Sequence, residues 1–183
     1  LVPGFIDLQV NGGGGVLLNE QHDLEGIRTI CAAHARFGTT GLLPTLITDN
    51  REVTAETIAA GLAAQQAAVP GFLGLHLEGP HLSIARKGAH DPNLIRPMEQ
   101  ADLDRTIAAR QGLDALLMTL APENATDAQI AALYKAGVTV SLGHSDCGYR
   151  TAASAVEAGA RMMTHLFNAM SPLGHREPGM VGA

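Results

Sequence analysis

Six short aliphatic runs, each separated from the next by a stretch with helical spacing, restrict this chain to a small set of folds. The runs are Gly4 to Val10, Gly41 to Ile47, Phe72 to Glu78, Leu113 to Leu120, Val138 to Gly143 and Arg161 to Phe167. Each is short enough for a buried strand. The intervening alanine-rich segments, such as Glu52 to Ala68, Asp102 to Arg110, Asp127 to Lys135 and Arg150 to Ala158, contain good helix formers and few breakers. Gly38, Gly112, Gly137 and Gly159 stand at the joints, where a helix ends in a left-handed residue before the next strand. Strand alternating with helix implies a parallel sheet.

An open doubly wound sheet and a closed (β/α)8 barrel both satisfy this alternation, and the polar residues separate them. Asp7, Gln9, Asn11, Thr48, Asp49, Glu78, Glu123, His144, Ser145, His165 and Asn168 fall at or just beyond the carboxyl ends of different strands. Barrels gather their chemistry there, a residue or two from each of many strands. An open sheet concentrates its contacts at one switch point behind a glycine fingerprint. The run Asn11-Gly-Gly-Gly-Gly15 lacks the third glycine of GxGxxG, and no GK[ST] occurs. These glycines are read instead as a mobile loop over the site, with a plain linker as the bland alternative. The expectation is an α/β fold, a TIM-type (β/α)8 barrel, present as one partial domain over residues 1–183. Six units are two short of closure, and the length falls below the usual lower end of about 200 residues. The start at Leu1-Val-Pro-Gly and the stop at Met180-Val-Gly-Ala183 fit a chain truncated at both ends.

A net charge of −6 with basic residues scattered singly leaves no cationic stripe for nucleic acid. No apolar run approaches the roughly 20 residues that cross a bilayer, and no signal-like segment is present, so no membrane partner and a cytoplasmic location are expected. Cys31 and Cys147 alone make no disulfide framework and suit a reducing compartment.

The stretch Gly74-Leu-His-Leu-Glu-Gly-Pro-His-Leu-Ser83 places a carboxylate at a strand tip. Residues two apart share a face, so Glu78 points with His76 and away from Leu75 and Leu77. A buried carboxylate must neutralise, pair or bind a cation. His144 and His165, at the ends of later strands, are its natural partners, and one carboxylate with two imidazoles and an open position is a catalytic zinc set. Such a metal acidifies water and polarises a carbonyl, the chemistry of amide or ester hydrolysis. Bland readings stand beside this one. His76 fits a hydrogen-bonded core residue, and His22 and His34 fit solvated helix positions. Glu123 and Asp146 fit helix caps, Cys147 fits a small turn residue, and spacing alone does not prefer Glu78 to Glu123 as ligand. A metal site and a set of satisfied structural groups remain equal readings at this level.

The stretches PGFIDLQVNGGGG, GTTGLLPTLIT, GLHLEGPHLS, KGAHDPN, LAPEN, VSLGHSD and THLFNAMSPLGHREPG, taken together, resemble the N-acetylglucosamine-6-phosphate deacetylase family of the amidohydrolase superfamily. The resemblance implies a metal-dependent barrel with a small β-sandwich, a homodimer, and hydrolysis of the acetamide of N-acetylglucosamine 6-phosphate. It implies Glu78, His144 and His165 as metal ligands, with zinc as the first choice and ferrous iron the second. It also implies substrate contacts at Gly79, His90, Asn168 and Ala169, and a phosphate contact at Arg176 in a neighbouring subunit. A guanidinium fork suits phosphate oxygens, whereas a lone exposed arginine is more simply a solvated loop residue.

Two departures from the wider superfamily matter. Gln9 and Asn11 replace the His-x-His that holds a second metal, and neutral amides are poor zinc ligands, so one metal is expected. The family's general-base aspartate comes from the eighth strand, so no catalytic proton-transfer residue is expected within these 183 residues. Alternatives to this function are an amidohydrolase acting on a different amide, or a non-catalytic metal-binding fragment.

Overall fold

The computed structural model describes residues 2–183; Leu1, which opens the sequence, lies outside the described residues. The chain begins with β1 (Phe5–Val10), a small hairpin of β2 (Gly12–Gly13) and β3 (Val16–Leu17), and α1 (Leu24–Ala35). Then come β4 (Thr39–Ile47), α2 (Arg51–Gln66), β5 (Leu75–Glu78) and α3 (Gln100–Gly112). The remainder is β6 (Leu116–Leu120), α4 (Asp127–Lys135), β7 (Thr139–Leu142), α5 (Tyr149–Ala158) and β8 (Met162–Met163).

The six expected strands form one parallel sheet in the order β1-β4-β5-β6-β7-β8. Consecutive helices pack against one another from α1 through α5. A doubly wound sheet would reverse its strand order and divide its helices between two faces. Neither happens, so the sheet is the arc of a (β/α)8 barrel with two strands fewer than closure.

The pleat explains the two faces. Leu75, Leu77, Leu116, Met118, Leu120, Val140 and Leu142 join Ile27, Ile30, Ile58, Ile130 and Leu133 in the core beneath the helices. The residues that alternate with them point inward, and several are polar. His76 Nδ1 meets Thr45 Oγ1 at 3.2 Å, and His76 Nε2 meets Thr119 Oγ1 at 2.7 Å. The hydroxyls of Thr119, Thr164 and Ser141 continue this chain at 2.6 and 2.7 Å. His76 is therefore a hydrogen-bonded core residue, as its position midway along the strand suggested. Every member of this buried layer has a partner, as buried polar groups require.

The helix starts are written in the sequence. Asp23 and Asn50 accept backbone N–H bonds at the starts of α1 and α2, and Thr126 with Gln129 forms a capping box on α4. Gly38, Gly137 and Gly159 take the expected positive φ at the joints. Gly112 does not: it closes α3 and the chain leaves through an extended Leu113, while a Cβ on Gly112 would press on the Leu62 side chain.

The glycine run after β1 also differs from expectation. Gly14 and Gly15, at φ 65° and 86°, form the two-residue turn of a hairpin that packs on α1. His34 Nε2 lies 2.9 Å from the Gly12 carbonyl oxygen, so that histidine is half-buried rather than solvated and the hairpin is tied down. β8 is shorter than the run Arg161 to Phe167, because the chain turns through left-handed backbone at His165, Phe167 and Ala169.

Candidate metal centre

Strand ends and one long connection bring four side chains to one point. Glu78 ends β5 opposite Ile47 of β4 and Thr119 of β6, and is 3% exposed. His144 follows β7 and His165 follows β8, both at left-handed φ values of 48° and 36°. Non-glycine residues in that region cost roughly 1–3 kcal/mol each and persist only where their surroundings dictate them. His90 comes from the long β5–α3 connection.

The contacts of the second ring nitrogens fix which face each histidine presents. His144 Nδ1 lies 2.8 Å from the Arg86 carbonyl oxygen, and His165 Nδ1 lies 3.0 Å from that of Asn168. A carbonyl can only accept, so each Nδ1 carries a proton, and the neutral tautomer of each ring has its lone pair on the inward-facing Nε2. Those two nitrogens are 3.0 Å apart, and they lie 3.4 and 3.3 Å from Glu78 Oε1. Three lone-pair donors in a triangle of that size repel one another unless a cation sits among them. Ligands about 2.0–2.1 Å from a tetrahedral zinc are themselves about 3.3 Å apart, so the triangle fits such an ion.

His90 is different. Its Nδ1 accepts from the Thr48 backbone N–H at 3.3 Å and lies 2.8 Å from Thr48 Oγ1, which leaves the proton on Nε2. That Nε2 stands 3.7 Å from Glu78 Oε2. Glu78, His90 and His144 bring their ligand atoms within 4.8 Å of one another, close enough to hold an ion. The hydrogen-bond pattern distinguishes the two other histidines: His90 turns its Nε2–H towards Glu78, whereas His165 has its Nδ1 on a carbonyl and its Nε2 towards Glu78.

Electrostatics agree. Burial alone would raise the Glu78 carboxyl, but the His144 hydrogen bond and the charges of His90, His76 and His144 hold it down at about 2. Burial opposes the charged form of His144, yet its bonds to Glu78 and to the Arg86 carbonyl raise its pKa. A positive charge between carboxylate and ring is favoured. Burial and the neighbouring His144 push His90 down to about 4 against the pull of Glu78, so His90 is neutral near pH 7.

A cavity of about 220 Å³ opens above this cluster, lined among others by Gln9, Asn11, Gly88, Asn168 and Ala169. Gln9 donates its amide to Glu78 Oε1 at 2.9 Å.

The Amidohydrolase family matches residues 1–182. The chain belongs to the amidohydrolase family. It is 49% identical over its whole length to an N-acetylgalactosamine-6-phosphate deacetylase of Shewanella sp. strain ANA-3, covering 46% of that protein. It is 40% identical to an N-acetylglucosamine-6-phosphate deacetylase of Haemophilus influenzae, again over its whole length and 48% of that protein. The crystal structure of the N-acetylglucosamine-6-phosphate deacetylase from Pasteurella multocida superimposes with a TM-score of 0.94 at 38% identity, over 99% of this chain and 48% of that one. The chain spans about half the length of the relatives it matches.

In this amidohydrolase the sequence-expected site residues divide by location. Glu78, His144, His165, His90, Asn168 and Ala169 line one cavity. Gly79 is buried at φ 90°, where a Cβ would strike Thr48 and Leu82, and is not among that cavity's lining residues. Arg176 is exposed on the loop between Ser171 and Gly179 and is not among the cavity's lining residues. Neither Glu123 nor Asp146 caps its own helix: Thr126 and Gly148 hold those positions. Glu123 instead accepts bonds from Ser145 and Asp146, and Asp146 pairs with Arg86 at 2.7 Å. The Thr48 contact that sets the His90 tautomer and the Arg86 carbonyl that sets His144 had no sequence signal, since backbone groups are common to all residues.

Proposed function

We propose that this amidohydrolase binds one divalent metal, zinc, through Glu78 Oε1, His144 Nε2 and His165 Nε2. The protein would then remove the acetyl group of N-acetylglucosamine 6-phosphate, giving the free amino sugar phosphate and acetate. The observation that carries this reading is the triangle of Glu78 Oε1, His144 Nε2 and His165 Nε2 at 3.0 to 3.4 Å. When bound, such a metal polarises a carbonyl and acidifies water.

The chain's own residues supply the rest. The Nε2–H of neutral His90 faces the cavity and can donate to a substrate oxygen beside the carboxylate. Asn168 and Ala169 line the wall where the sugar would lie, and Gly79, next to Glu78, would let the substrate approach past a residue without a side chain. Gln9 and Asn11 offer neutral amides, with Gln9 already bonded to Glu78, so the site suits one metal rather than two. Arg176, exposed and not among the residues lining its own cavity, would serve a second copy in a homodimer, where its fork would grip the phosphate of the bound sugar. The proton for the leaving amine is assigned to an aspartate on the eighth strand of the complete barrel. A cytoplasmic location is part of this proposal; among the described residues no helix is long and apolar enough to cross a membrane.

A second reading is favoured by the 49% identical relative, which names the galactosamine epimer. The test is acetate release by the zinc-loaded full-length protein from both epimeric 6-phosphates and from their unphosphorylated sugars. Turnover of a 6-phosphate that is lost in Glu78→Gln, with KM sharply raised in Arg176→Ala, is expected. Equal turnover of the unphosphorylated sugars, or full activity in Glu78→Gln, would overturn the proposal.

A further inference from the structure

His144 occupies left-handed backbone, and the segment that holds it there is gripped from outside the site. Glu123, in the loop after β6, reaches across with both oxygens. Oε2 accepts the Ser145 hydroxyl at 2.7 Å and Oε1 accepts the Asp146 N–H at 2.6 Å. Ser145 is completely buried, and its Oγ also accepts the Cys147 N–H at 3.2 Å. Its backbone N–H donates to the Ala169 carbonyl at 3.2 Å, and its own carbonyl accepts from Ser171 at 3.0 Å. One residue therefore ties the His144 loop to the segment after His165. On the other side, the Ser83 N–H donates to the His144 carbonyl at 2.8 Å, and the Arg86–Asp146 ion pair holds the strand of chain whose carbonyl orients the His144 ring.

We propose that Glu123 is a positioning residue for the metal centre, clamping Ser145 and Asp146 so that His144 keeps its strained backbone and aims Nε2 at Glu78. This rests on the reading of Glu78, His144 and His165 as ligands. Glu123 itself is exposed and touches none of the three. Its carboxylate acts through the Ser145 hydroxyl and the Asp146 N–H, and so on the backbone of the His144 loop, while the carbonyl of Arg86 is the direct partner behind the ring. Because it is exposed, its loss should loosen the loop without unfolding the barrel.

The test is zinc affinity, by competition with a chromophoric chelator, together with the visible spectrum of the cobalt-substituted protein, measured on full-length wild type and variants. Glu123→Ala is expected to bind zinc about 10- to 100-fold more weakly and to shift the cobalt bands, the range seen when partners behind a ligand are removed. Glu123→Gln, which keeps one acceptor, and Ser145→Ala, which removes one of the two bonds, should fall between. Thr126→Ala serves as the control. It removes the cap of α4 three residues away and lowers stability by loss of that cap alone, so its zinc affinity should stay within about twofold of wild type. An unchanged affinity and spectrum in Glu123→Ala, or an equal loss in Thr126→Ala, would overturn the proposal. Glu78→Gln separates the two levels: if it binds zinc as wild type does, the ligand assignment itself fails, whereas its loss of zinc beside an unaffected Glu123→Ala refutes the clamp alone.

Discussion

His90 and His165 both approach Glu78, and a proton distinguishes them. The Thr48 N–H facing His90 Nδ1 commits that ring to carrying its proton on Nε2, while the Asn168 carbonyl commits His165 to the opposite tautomer. The two substitutions should therefore behave differently. His165→Ala is expected to lose zinc by more than the roughly 10- to 100-fold typical of a residue behind a ligand. His90→Ala should retain zinc and lose turnover, because it removes a donor into the cavity rather than a lone pair. Metal analysis beside acetate release on the two variants checks this, and zinc lost in His90→Ala but kept in His165→Ala would reverse the assignment. The sequence pointed to Glu78, His144 and His165, since each falls where a strand ends and is the right kind of ligand. It gave no tautomers, because those depend on backbone carbonyls and amides brought close only by folding.

At the level of elements, the alternation of apolar runs and helix formers located the six strands of the sheet and four of its five helices, whereas the two cap candidates, Glu123 and Asp146, cap neither helix. Boundaries failed where a local contact overrides periodicity. The run Phe72 to Glu78 yields a strand only from Leu75, because Gly74 sits at φ 146° with its α-carbon against the Ala115 carbonyl of the neighbouring strand. A side chain there is doubly forbidden, by backbone conformation and by space. Gly74→Ala should destabilise the fold by about 3 kcal/mol or more, combining left-handed strain with a displaced strand pairing. A fall in the urea midpoint measures it; an unchanged midpoint would show that β5 and β6 need not approach so closely. The glycine hairpin after β1 was illegible for another reason. Four glycines in a row signal conformational freedom, and only the packing of β2 on α1 shows that the freedom is used for a turn.

The whole molecule is an arc of six β/α units whose inner face is polar and whose outer face carries the core. Both cysteines lie in that core. Burial pushes the Cys31 thiol up to about 11, and burial together with the Glu123 and Asp146 charges raises Cys147. Thiolate is the reactive form, so neither should react with iodoacetamide near pH 7 until the chain unfolds. Mass spectrometry should find no adducts in the folded protein and two in urea; rapid labelling without urea would mean that the arc opens. What the sequence showed of the whole was its barrel character, because polar residues at six strand ends converge only if the sheet curls. The central claim is that this curl assembles a single metal site. Anomalous diffraction at the zinc edge from zinc-equilibrated crystals tests it most directly. The account predicts one peak per chain, about 2.0–2.2 Å from Glu78 Oε1, His144 Nε2 and His165 Nε2. A peak bonded to His90 in place of His165, a second tightly held peak beside Gln9 and Asn11, or no peak at all would contradict it.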